Sequence, residues 1–142
     1  MLRLTLAAFA LFLAAGASAQ PAAGRLDAAD DTLNSGEFRD EYTVAVRAGD
    51  EVSAVVTSEA FDTYVLLVSP TGAQVEDDDC TDGETTRSCV TFTADAEGAL
   101  RVLVTSFAVG ETGAYVVTVT VGGAVVALVP EAETREDVEG GR

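Results

Sequence analysis

The sequence contains no His, no Lys, no Trp and no Ile, and its 142 residues include only 2 Cys and 3 Pro. Without His or Lys there is no Ser-His-Asp triad, no Cys-His pair, no HExxH zinc site, no P-loop and no Schiff-base lysine. Acid–base chemistry is left to carboxylates, Tyr hydroxyls and two thiols. Positive charge is scarce as well: 8 Arg stand against 24 Asp and Glu, for a formal net charge of −16. Phosphate backbones and anionic lipid need Lys or Arg to neutralise them, so nucleic-acid and membrane-surface partners are argued against. Cationic partners and divalent metals are compatible with such a field.

Long apolar runs are also missing, apart from 12 residues at Leu4–Ala15. They follow Met1-Leu2-Arg3 and precede Ala17-Ser18-Ala19. A basic start, a short apolar core and an Ala-x-Ala ending form a secretory signal, with cleavage expected after Ala19. Twelve apolar residues are too few to cross ~30 Å of hydrocarbon. No membrane insertion is therefore expected after cleavage, and no Cys follows the site to carry a lipid. The remaining 123 residues carry 7 Arg against 24 acids, or −17, and suit one domain.

Export, to the periplasm or the extracellular space, predicts a Cys80–Cys89 disulfide. Closing that short loop constrains the unfolded chain by roughly 2–3 kcal/mol in the entropic treatment. A catalytic thiol is disfavoured, because no His activates it and its acidic surroundings oppose the thiolate.

Residues 20–40 are small and polar, with an acidic cluster at Asp27, Asp30 and Asp31 and a break at Ser35-Gly36; they read as a loose lead-in. From Glu41 the apolar period is two: Tyr42, Val44 and Val46, then Val52, Ala54 and Val56 after the Ala48-Gly49-Asp50 turn. Thr63–Ser69 is denser, as in a strand covered on both faces. Pro70-Thr71-Gly72 supplies turn chemistry. Further strands are expected at 73–76, 89–93, 100–105 and 114–121, with Gly122-Gly123 folding 124–129 back. No 3.6-residue apolar period is sustained after the signal. The fold class is all-β, a jelly-roll-like antiparallel sandwich of about 7–8 strands. The expected organisation is a signal at 1–19, a lead-in at 20–40, a sandwich at 41–129 and an acidic flexible tail at 130–142.

Three groups of residues invite a functional reading. The acidic loop around Asp77, Asp78, Asp79 and Asp82 offers clustered oxygens of the kind Ca²⁺ prefers, at a spacing that is not an EF-hand. A solvated loop is the blander and favoured explanation, since two carboxylates ~5 Å apart in water repel by only ~0.8 kcal/mol. Asp62, ahead of a Tyr-led strand, reads as a turn cap. Asp62-Thr63 does not continue to the Gly of an aspartic-protease turn, because Tyr64 stands there. Tyr42, Tyr64 and Tyr115 form either a stacking platform for sugar or collagen, or buried aromatics with their hydroxyls bonded to backbone. A small carboxylate-dependent hydrolase would need two acids flanking a sugar-holding cleft. A short sandwich with few aromatics offers none, so no enzyme activity is expected.

Several motifs fall in the order of a known family. Ser35-Gly36-Glu37 with Asp40-Glu41-Tyr42, and then Ala48-Gly49-Asp50-Glu51-Val52, resemble its opening strand and turn. Asp62-Thr63-Tyr64-Val65-Leu66-Leu67-Val68-Ser69-Pro70-Thr71-Gly72 resembles its central signature, with Val65 in place of the usual Leu. Asp77-Asp78-Asp79 stands where Asn-Asp-Asp is frequent, and Gly113-Ala114-Tyr115-Val116-Val117-Thr118-Val119 resembles the closing strand. From about Gly24 to Val121 the chain thus resembles the bacterial pre-peptidase C-terminal domain, as a stand-alone secreted member. The resemblance implies a β-sandwich of the kind appended to secreted peptidases. Collagen-binding modules of this fold bind calcium, which extends the expectation to Asp77–Asp79. The Cys80–Cys89 staple is not a general feature of the family. The function expected is a non-catalytic accessory module that binds a protein or matrix partner, with calcium as the only cofactor considered. The alternative is a structural envelope domain without a dedicated ligand.

Overall fold

In a computed structural model, residues 19–131 are described except Asp78 and Asp82; the expected signal up to Ser18 and the tail from residue 132 lie outside the described residues. The described residues form ten strands and no helix. These are β1 (Ala22–Leu26), β2 (Arg39–Val46), β3 (Glu51–Thr57), β4 (Thr63–Val68), β5 (Gln74–Asp77), β6 (Arg87–Thr93), β7 (Gly98–Ser106), β8 (Gly113–Val121), β9 (Ala124–Val125) and β10 (Val129–Pro130). One sheet runs β1-β8-β3-β6, with β9 also on β8, and the other runs β10-β2-β7-β4-β5. Every pairing is antiparallel. The expected all-β sandwich is the fold observed.

The period-two residues meet between the sheets. Tyr42, Val44 and Val46 of β2 and Leu100, Val102 and Val104 of β7 face Val52, Ala54 and Val56 of β3 and Tyr115, Val117 and Val119 of β8. Each fully buried Val or Leu contributes about 1.5–3 kcal/mol relative to exposure, which makes this layer the main source of stability. The turn after β4 forms as its residues dictate. Gly72 donates its N–H to the Ser69 carbonyl at 2.9 Å with a φ of 92°, a conformation that suits glycine.

Two segments depart from the sequence reading. The stretch expected as a loose lead-in contains β1, whose Leu26 is fully buried. Small residues there, Ala22-Ala23-Gly24, hide the alternation that marks a strand. The segment 124–129, expected as one strand, is divided between the two sheets. Ala124–Val125 pairs with β8, and Val129–Pro130 pairs with Thr43 and Tyr42 of β2. Between them the Val126 N–H donates to the Val119 carbonyl at 3.0 Å, while Val126 and Leu128 pack against the core. The last described turn of chain is therefore a strap from one sheet to the other. Together β1 and β9 cover the edge of β8, and β10 covers part of the edge of β2, which limits exposed strand edges.

Candidate functional site

The acidic loop joins β5 to β6 and is closed by the Cys80–Cys89 disulfide, with Cα atoms 4.9 Å apart, as expected. Cys80 is buried and donates its N–H to the Arg87 carbonyl at 3.0 Å, while Gly83 donates to the Cys80 carbonyl at 2.8 Å. The Asp79 N–H donates to Asp77 Oδ1 at 3.1 Å, so these two residues form a local turn. Asp79 Oδ1 is buried without a hydrogen-bond partner among the described residues. Asp78 and Asp82, the other two expected ligands, lie outside the described residues. Among the described residues no three acidic or Cys side chains converge on a metal position.

The turn leading into β4 is held by Ser58. Its hydroxyl accepts the Ala60 and Phe61 N–H groups at 3.0 and 3.3 Å and donates to the Ala114 carbonyl at 2.8 Å. Asp62 contributes its backbone carbonyl, which accepts the Phe107 N–H at 3.0 Å.

The three tyrosines separate into two roles. Tyr42 and Tyr115 are buried and meet across the sandwich, hydroxyl to hydroxyl, at 2.5 Å. Tyr115 donates onward to Asp40 Oδ2 at 2.6 Å, which leaves Tyr42 to donate to Tyr115. Their partners are thus each other and a carboxylate rather than backbone. Burial, with the bonds to Asp40 and Tyr42, pushes the Tyr115 phenol far up, and burial pushes Tyr42 up as well. Burial also raises the Asp40 carboxyl to about 6, against the pull of the Tyr115 bond and with the help of the neighbouring Asp30. The sequence carries a signal for this chain of groups that the motif reading passes over. Asp40 and Tyr42, two apart on one strand, project to the same face.

Asp40 opens onto a cleft of about 190 Å³ lined by Asp30, Asp31, Arg39, Glu41 and Glu131. Ligand pockets typically enclose roughly 300–1,000 Å³, so this cleft is small for a sugar ring and its neighbours. Glu41 accepts hydrogen bonds from both Arg39 and Arg101. Burial opposes its ionisation, but the bonds from Arg101, Glu131 and Arg39 together hold its carboxyl down at about 2. Glu131, bonded to Glu41, is raised by that bond, by burial and by the Glu41 charge.

Tyr64 occupies the other face of the β4 sheet. Cross-strand register places it beside Thr105 and Arg39, and sets Leu66 and Leu103 side by side between Glu41 and Glu76. Leu66 and Leu103 lie outside the inter-sheet core, yet are only 7% and 5% exposed. The dense β4 run is therefore buried on both faces, its outer side meeting Leu103 in the register.

No family profile and no curated protein matches the chain. Among solved structures, the fold is similar to the pre-peptidase C-terminal domain of the collagenase from Bacillus anthracis. The TM-score is 0.52 at 16% identity, covering 72% of this chain and 90% of that domain.

Proposed function

We propose that the chain is a non-catalytic accessory module that works outside the cytoplasm by binding a protein or matrix partner. The observation that carries this reading is the outer face of the β2-β7-β4-β5 sheet. There the register sets Tyr64 in one row with Thr105 and Arg39, and Arg101 two rows away beyond the Leu66–Leu103 pair, on a chain whose net charge is −16. Tyr and Arg are among the side chains that carry most binding energy in interfaces. The likeness to a collagenase domain supports the same reading and makes insoluble collagen the first matrix to test. The disulfide supports an oxidising compartment.

Calcium at Asp77, Asp78, Asp79 and Asp82 belongs to this proposal. The buried Asp79 Oδ1, without a hydrogen-bond partner among the described residues, supports it. Thermal unfolding in EDTA and then in millimolar Ca²⁺, with Mg²⁺ as control, tests it through the stabilisation of the folded state by ligand. A Ca²⁺-selective rise upholds the site, and equal curves remove it. Retention on insoluble collagen, compared between wild type and Tyr64→Ala, tests the face. Retention lost in the variant upholds it. Retention by neither protein favours a structural domain without a dedicated ligand, a reading supported by the near-complete cover over Leu66 and Leu103.

A further inference from the structure

β1 is the last strand of its sheet, and the direction of its backbone groups follows from two bonds on β8. On the β3 side of β8 the Ala114 carbonyl accepts the Ser58 hydroxyl at 2.8 Å. On the side of β1 and β9 the Val119 carbonyl accepts the Val126 N–H at 3.0 Å. Alternate residues of an antiparallel strand turn both backbone groups toward the same neighbour. Gly113, Tyr115 and Val117 therefore face β1, and their register partners Leu26, Gly24 and Ala22 face back. Ala23 and Arg25 turn their N–H and C=O groups to the outer edge. Among the described residues neither makes a backbone bond outside the sheet. Such an open row is a template for a further strand.

The inner side of this edge decides what such a strand carries. Gly24 has no side chain, and a Cβ there would lie 2.3 Å from the phenolic oxygen of Tyr115. That oxygen donates to Asp40 Oδ2 at 2.6 Å, so the wall of the acidic cleft begins on the inner side of Gly24. The carboxyl groups of Asp30, Asp31, Asp40, Glu41 and Glu131 line the cleft against the one guanidinium of Arg39. Its volume of about 190 Å³ lies below ordinary ligand sites, roughly 300–1,000 Å³, and is on the scale of one long side chain. We propose that β1 is the docking edge for an extended segment of a partner protein, which pairs with Ala23 and Arg25 and sets a Lys or Arg opposite Gly24, its cation entering the cleft at Asp40. Residues directly opposite in an antiparallel pair share a face, and the non-hydrogen-bonded pair at Gly24 brings the two Cα atoms to about 4.5 Å. A side chain opposite Gly24 thus points inward, where glycine leaves room. A second copy of this chain fits less well. Matching Ala23 to Arg25 of the copy sets Gly24 against Gly24, which brings no cation to the cleft and joins two chains of −16. The edge belongs to the sheet opposite that of Tyr64 and does not depend on the Tyr64 face.

The test is titration of the full chain into the end-blocked, labelled peptide Thr-Val-Thr-Lys-Thr-Val-Thr, read by fluorescence anisotropy. Salt is held at about 0.15 M, where the general field of the chain is screened beyond about 8 Å. The alternation puts Lys and both Val on the face of Gly24, Ala22 and Leu26. Saturable binding is expected, weakened at least about tenfold when Glu replaces Lys. N-methyl groups on the Thr residues beside Lys remove the hydrogen bonds to Ala23 and Arg25 without altering charge, and should weaken binding by a similar factor. Bound peptide should slow exchange of the Ala23 and Arg25 amides at least about tenfold. Ala23→Pro deletes one outward N–H, leaves the ladder to β8, and should also weaken binding. No saturation up to about 1 mM protein overturns the proposal, as does equal binding of the Lys and Glu peptides. Unchanged binding after N-methylation or in Ala23→Pro overturns it as well. Self-association of the chain in sedimentation that the peptide reverses gives the edge to a second copy, and equally overturns it.

Discussion

Gly24 of β1 lies against the ring of Tyr115, its register partner on β8, so closely that a Cβ at position 24 would stand 2.3 Å from both Cζ and the phenolic oxygen. The ring cannot yield easily, because its hydroxyl is fixed between Tyr42 and Asp40. An aromatic side chain laid over an edge glycine is a known means of fastening a terminal strand. Gly24→Ala should overpack this contact and cost about 1–3 kcal/mol, lowering the melting temperature by roughly 4–12 °C. Thermal unfolding reads the effect directly. A variant that melts with wild type would show that the Tyr115 ring moves aside freely.

The two buried tyrosines should not be equivalent. Tyr115→Phe removes the donor to Asp40 as well as the acceptor for Tyr42, at a cost of roughly 1.5–3 kcal/mol for the charge-assisted bond. Because the Tyr115 bond holds the Asp40 carboxyl down, that carboxyl should also rise further in the variant. Tyr42→Phe leaves the Tyr115-to-Asp40 bond in place and should cost only about 0.5–1.5 kcal/mol. Urea titration of both variants gives the order. Equal costs would mean that the bond to Asp40 contributes nothing net.

The sandwich was legible where alternation was strong. Tyr42, Val44 and Val46, or Val52, Ala54 and Val56, announce one buried face by themselves, and the Cys pair announces its own bond. Legibility failed where a strand is built of small residues or is shared between sheets. Ala22-Ala23-Gly24 has too little side chain to show a period, and its place is set by Tyr115 lying above it. Ala124–Val129 looks like one strand because nothing local records that Val126 and Leu128 cross from one sheet to the other. The acidic cleft failed for a related reason. Asp30, Asp40, Glu41 and Glu131 come together from three separate stretches, and spacing along a chain cannot report that.

The Cys80–Cys89 bond spans a separation of 9 residues and links the β5–β6 loop to β6. Replacing both cysteines by Ser should cost roughly 2–3 kcal/mol through the freed unfolded chain. The urea midpoint should fall by about 1–1.5 M for an m value of about 2 kcal/mol/M. Titration of the natively purified wild type should find no free thiol, and two reactive thiols would show that the bond does not form.

Two carboxyl groups on neighbouring residues should shape the stability profile in opposite directions. Asp40 is raised from an ordinary 3.8 to about 6. A carboxyl raised on folding stabilises the fold in full below its unfolded value, and that contribution is lost as pH climbs through about 6. Glu41 is lowered from 4.5 to about 2, so its contribution is present above 4.5 and is lost as pH falls toward 2. Together they set the maximum of melting temperature near about pH 4–5, below the range usual for globular domains. Self-repulsion of a chain at −16 lowers stability toward neutral pH as well, so wild type alone does not identify the group responsible. Asp40→Asn separates the two, since Asn keeps an oxygen for the Tyr115 hydroxyl but has no proton to lose. Its decline between about pH 4 and pH 6 should be shallower than that of wild type, with the acid limb unchanged. Glu41→Gln should do the reverse, flattening the acid limb because its carboxylate no longer has to be protonated. A wild-type melting temperature that rises from about pH 5 to pH 7 would contradict the assignment of Asp40, because a carboxyl raised by burial can only lose stabilisation over that interval.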